Sequence, residues 1–89
     1  FAHTIVTATG PEFQAVYDRM DHRKWILDDP RAQWRDVRGF WGEQRVQLLQ
    51  CGLGPVTFSK NFQQSEVVAH RVSLIGVCGA LREGLKAAD

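Results

Sequence analysis

The sequence predicts an α/β fold, a mixed sheet with helices on its faces, and three observations carry that expectation. A short β-branched run, His3 to Thr9, ends at Gly10-Pro11 and gives way to apolar residues at helical spacing. The same change recurs where an apolar arm ending near Gln50 passes through Cys51-Gly52-Leu53-Gly54 into Pro55. A last apolar run from Val72 to Val77 enters a small-residue stretch, Gly76-Val77-Cys78-Gly79-Ala80. Strand-to-helix changes in succession favour a sheet covered by helices, with right-handed crossovers expected.

Each element has a local reason. Pro11 suits the first turn of a helix, and Phe13, Val16, Tyr17 and Met20 recur at spacings of three and four, so a helix is expected from Glu12 to about Met20. Asp21 to Gln33 is polar and carries the turn signal Asp28-Asp29-Pro30. A solvated connection is expected there, anchored by Trp25 and Ile26, and its length leaves room for a short helix or an edge strand. Trp34 to Trp41 and Arg45 to Gln50 flank Gly42-Glu43 and read as a hairpin, with Gly42 supplying a positive φ. Gly54 and Pro55 open a second helix running to about His70, with Phe58, Phe62 and Ala69 on one face. The run after Val72 reads as a strand buried on both faces that delivers backbone to a ligand beyond its carboxyl end, at Gly76 to Leu81.

Composition bounds the functions open to such a chain. Eighty-nine residues make one domain at most, and at that size about 60 to 65% of the unfolded surface can be buried. A net charge of +1 gives no electrostatic footprint for nucleic acid or for a membrane surface, so neither partner is expected. Cys51 and Cys78 are too few for a disulfide scaffold, and no run of about 20 apolar residues is present. A cytoplasmic location is the expectation. Phe1 in place of an initiator methionine, and a chain stopping at Asp89 just after an apparent central strand, are what a fragment would show.

Few residues point to chemistry by themselves. His3, His22 and His70 have no cysteine or carboxylate at ligand spacing, so no metal or other cofactor is expected. Cys51 and Cys78 read as small buried thiols, with Cys51 the more open to question because it begins a glycine turn. The tryptophans read as packing, and the arginines, interleaved with acids, as a solvated surface. Glu12 lies at a strand-to-helix junction, where a carboxylate is stabilised by the dipole and the free amides of the first turn. The turn Gly52-Leu53-Gly54 reads either as a tight strand-to-helix connection or as a cradle for a phosphate or a ribose hydroxyl.

Taken together and in order, Thr7-Ala8-Thr9-Gly10-Pro11-Glu12-Phe13, Cys51-Gly52-Leu53-Gly54-Pro55-Val56 and Ile75-Gly76-Val77-Cys78-Gly79-Ala80-Leu81 with Leu85-Lys86-Ala87-Ala88-Asp89 resemble the amino-terminal portion of the nucleoside phosphorylase and nucleosidase superfamily. The nearest likeness is to its methylthioadenosine/S-adenosylhomocysteine nucleosidase branch. There the glycine turn reads Gly-Ile-Gly-Lys-Val and the later strand Thr-Gly-x-Ala-Gly-Gly-Leu, with Leu-Lys-Val-Gly-Asp following. The resemblance covers most of the chain and is weakest over Asp21 to Gln33.

That resemblance implies a set of expectations. Residues 1–89 would form the incomplete amino-terminal part of one phosphorylase-type α/β domain. The activity would be hydrolysis of the N-glycosidic bond of a purine nucleoside or thionucleoside. Glu12 would be the general base that activates the attacking water. Thr9, the turn Gly52-Leu53-Gly54 and the backbone at Val77, Cys78 and Gly79 would bind substrate. Gly10-Pro11-Glu12 lacks the Gly-Asp-Pro and arginine common in the phosphorylases, which leans towards a hydrolase. Ala80 and Ala88 replace glycines of the pattern, and Val77 and Cys78 replace its small or hydroxyl pair. The family's Met-Glu pair and leaving-group acid belong to a later half, so these 89 residues alone are expected to be inactive. The alternative is a non-catalytic nucleoside-binding or regulatory module of the same fold within a larger protein. The whole protein is expected to be a homodimer or larger homo-oligomer.

Overall fold

In the computed structural model, which describes residues 2–75, the chain forms a five-stranded mixed sheet with a helix on each face. The elements are β1 (His3–Thr7), α1 (Gly10–Tyr17), β2 (Asp21–Asp29), β3 (Trp34–Trp41), β4 (Gln44–Gln50), α2 (Pro55–Gln64) and β5 (Val72–Ile75). Strand order is β2-β3-β4-β1-β5. The first strand in sequence is therefore interior, with parallel partners on both sides: Thr7 registers with Gln50 of β4 and with Ile75 of β5. β2, β3 and β4 form an antiparallel meander on the other side.

Strand alternation divides the core. Successive side chains point to opposite faces, so Ile5 and Leu48 go one way while Val6 and Leu49 go the other. The first face meets α1, where Phe13, Val16 and Met20 pack with Ile5, Val37, Val46 and Leu48. The helical spacing read from the sequence is thus the buried face of α1, although the helix ends at Tyr17 and Met20 reaches the core from beyond it. The second face meets α2, with Val6, Leu49 and Cys51 packed against Phe58 and Phe62.

The second face also holds polar groups. Gln47, fully buried, accepts from the Thr4 hydroxyl at 2.8 Å and from the Val68 amide at 3.1 Å. It donates to Asp36 Oδ2 at 3.2 Å and to the Glu66 carbonyl at 2.6 Å. Arg38 adds an ion pair to Asp36 at 3.3 Å and one to Glu66 at 3.5 Å. This network fastens the irregular segment after α2 onto the middle of the sheet.

Five expectations are corrected. Asp21 to Gln33 is mostly a nine-residue strand, not a solvated connection; β2 takes the edge-strand option that its length left open. Its bulges and basic residues fit an outer edge, where such features discourage pairing with other chains. Trp25 does reach the core, stacking on Phe13 and Tyr17 with centroids 5.7 and 5.3 Å apart. Ile26 does not: it is half exposed and lines an open groove with Leu27 and Trp34 on the face away from Phe13. α2 stops at Gln64 rather than near His70, so Ala69 is not on its face. Among the described residues β5 lies at the sheet edge with Val72, Leu74 and Ile75 exposed, and is not buried on both faces. Finally, Arg35 and Arg38 are not simply solvated, since both are partly buried and ion-paired. The hairpin stands as read, with Gly42 at φ +67.

Candidate functional site

Because β1, β4 and β5 are parallel and in register, their carboxyl ends form one rim of the sheet. In α/β sheets that rim is where ligands bind. β1 leaves it through Ala8 and Thr9 into α1, and β4 through Cys51, Gly52, Leu53 and Gly54 into α2. β5 reaches the rim at Ile75; Gly76 and the residues Val77, Cys78 and Gly79 that are expected to bind substrate lie outside the described residues. The structure therefore brings Thr9, Glu12 and the Gly52-Leu53-Gly54 turn to one end of the molecule.

Glu12 is held by the helix it begins. Its Oε1 accepts from the Thr9 amide at 3.1 Å and the Ala8 amide at 3.3 Å, in the layout of a capping box with Thr9 as N-cap. These bonds fix the carboxylate against the end of β1. They also express the helix-capping reading of Glu12, and they orient the group that the nucleosidase resemblance implies as a base.

The glycine turn is built by close approach. Gly52 and Gly54 both have φ +94, a conformation side chains rarely adopt. A Cβ on Gly52 would come within 2.7 Å of Thr57 Cγ2. Asn61, buried on α2, donates to the Cys51 carbonyl at 2.8 Å and the Ala32 carbonyl at 2.9 Å, tying the turn to the β2–β3 connection. The Leu53 amide donates to Gln33 Oε1 at 3.2 Å, and Pro55 has no amide to give, so the turn offers an anion fewer donors than its glycines suggest. Leu53 projects an exposed apolar side chain beside it.

Cys51 is fully buried, and desolvation pushes its thiol up to about 12. It is an inert packing residue at any ordinary pH. Among the described residues no group of three histidines, cysteines or carboxylates could hold a metal ion, and no helix is long and apolar enough to cross a membrane.

Gln50 escaped the sequence reading. It is the last residue of β4, opposite Thr7 on one side and Arg35 on the other. It shares strand parity with Val46 and Leu48 and so belongs to the α1 face. It is 7% exposed, and its Oε1 is the buried side-chain polar atom without a hydrogen-bond partner among the described residues. Beside it, Arg35 pairs with Asp28 at 3.0 Å, its guanidinium 5.4 Å from the Phe13 ring. The only signal in the sequence is a polar residue closing the apolar pair Leu48-Leu49 just before a glycine turn.

No protein-family model matches this chain, and no curated protein matches it either.

Proposed function

We propose that the chain is the amino-terminal part of a longer enzyme that hydrolyses the N-glycosidic bond of a purine nucleoside or thionucleoside. The observation that supports this reading is the shared rim: the first two segments that resemble the nucleosidase pattern, Thr7 to Phe13 and Cys51 to Val56, leave parallel, in-register strands at one end of the sheet, which β5 also reaches at Ile75. Glu12 takes a proton from water, the resulting hydroxide forms a bond to the anomeric carbon, and the C–N bond to the base breaks. The leaving base receives its proton from an acid in the later half. Such reactions pass through an oxocarbenium-like state that needs both attack and leaving-group protonation, so residues 1–89 alone are inactive. The protein works in the cytoplasm as a homodimer or larger homo-oligomer, without a cofactor.

The capping bonds of Glu12 favour a second reading, a nucleoside-binding module in which this carboxylate only holds the helix. One experiment separates them. The full-length protein is incubated with adenosine, inosine, methylthioadenosine and S-adenosylhomocysteine, without phosphate, and free base is measured. The hydrolase reading requires base release by the wild type and a loss of about 10² to 10⁴ in rate for Glu12→Gln, the usual contribution of a general base. Binding without release leaves the module reading. Unchanged release by Glu12→Gln removes Glu12 from the chemistry.

A further inference from the structure

A buried carbonyl oxygen without a donor costs about 1 to 3 kcal/mol. β4 could avoid that cost at position 50 with an apolar residue, as it does at Leu48 and Leu49. When this strand keeps a carboxamide for structural reasons, as at Gln47, both its oxygen and its nitrogen are fully used. Gln50 Oε1 is not used, and it stands at the last rung of the rim, directly across from Thr7.

We propose that Gln50 is a substrate-positioning residue whose carboxamide oxygen accepts a hydrogen bond from a sugar hydroxyl of the bound nucleoside. The assignment rests on the nucleosidase reading and adds a specificity determinant to it. A missing donor is the complement of a hydroxyl and not of a phosphate, which brings only acceptors at neutral pH. The sugar is also the part of the substrate that must lie at this rim, because a water activated by Glu12 attacks its anomeric carbon. A site that hydrogen-bonds a hydroxyl discriminates strongly against the analogue without it, since the protein group is then left unpaired.

The test measures equilibrium binding of a purine ribonucleoside and its 2′-, 3′- and 5′-deoxy analogues to the full-length wild type, Gln50→Met and Gln50→Glu. The wild type should lose about 10- to 100-fold in affinity for one of the deoxy analogues. Gln50→Met should bind the parent more weakly by a similar factor and bind that analogue and the parent equally. Gln50→Glu, which keeps an acceptor, should restore the discrimination, and the melting temperature of Gln50→Met should be unchanged or higher. Discrimination that survives in Gln50→Met, or a Gln50→Met protein that fails to fold, overturns the proposal by showing that the amide is structural or idle. A wild type that binds no nucleoside overturns the nucleosidase reading and this assignment with it; a wild type that binds but does not discriminate overturns this assignment alone.

Discussion

Gln47 and Gln50 carry the same side chain on the same strand, three residues and one sheet face apart, and the chain treats them in opposite ways. Gln47 sits mid-sheet with both donors and both acceptor positions engaged, linking β1, β3 and the segment after α2. Gln50 sits at the carboxyl rim with a buried oxygen unpartnered. The difference separates the middle of the sheet, where polar groups are retained to fix one packing, from its rim, where a polar group is kept without a structural partner. A saturated buried network rigidifies a fold, whereas a half-satisfied one is a cost that needs another explanation.

The largest expected effect breaks the mid-sheet half of that comparison. Gln47→Leu would leave the Thr4 hydroxyl, the Val68 amide and the Glu66 carbonyl without their Gln47 partner and Asp36 with Arg38 alone, and should cost on the order of 3 to 4 kcal/mol in urea unfolding. Next, Asn61→Ala removes two buried donations that join α2 to the Cys51 turn and the β2–β3 connection, and should cost about 1 to 3 kcal/mol. Gln50→Leu, by contrast, should be neutral or stabilising by up to about 1 kcal/mol, because it removes an unpartnered acceptor. If Gln47→Leu and Gln50→Leu cost the same, the contrast between middle and rim is lost.

At neutral pH the smallest effect belongs to Cys51, whose contribution shows only as a pH dependence in the alkaline range. The folded thiol of Cys51 is held at about 12 against an ordinary value of 9.0. Below pH 9 both states keep the proton and the contribution to stability is complete. Between about 9 and 12 the unfolded thiol ionises while the folded one does not, so stability falls as pH rises. Cys51→Ala, which retains Cys78, should show a shallower decline over that range in unfolding measured from pH 8 to 11. An equal decline would mean that the buried thiol is not its source.

The sequence made some of this legible and concealed the rest for physical reasons. The α1 face, the Gly42 hairpin and the Gly54-Pro55 helix start were readable because periodicity and positive-φ glycines are local signals. β2 was hard to read because an exposed edge strand carries charges in place of apolar alternation. The end of α2 was misplaced since no sequence stop marks Ser65, whose hydroxyl instead bonds back to the Asn61 carbonyl and takes the Trp34 indole N–H. The apolar run of β5 suggests a central strand, yet among the described residues its one neighbour is β1. At the site, Glu12 and the glycine turn were visible as motifs. Gln50 was not, because its significance lies in the partner it lacks, which only three-dimensional packing shows.

The rim of the sheet is the proposed ligand site, and its most direct test is nucleoside titration of the isotopically labelled protein followed by amide chemical shifts. Shifts clustered at Ala8 to Phe13 and Gln50 to Gly54, with little change over Trp34 to Trp41 at the hairpin end, are the expected result. Shifts confined to the hairpin or to the outer surface of α2 around Ser59 and Lys60, or a spectrum unmoved by any nucleoside, would contradict it.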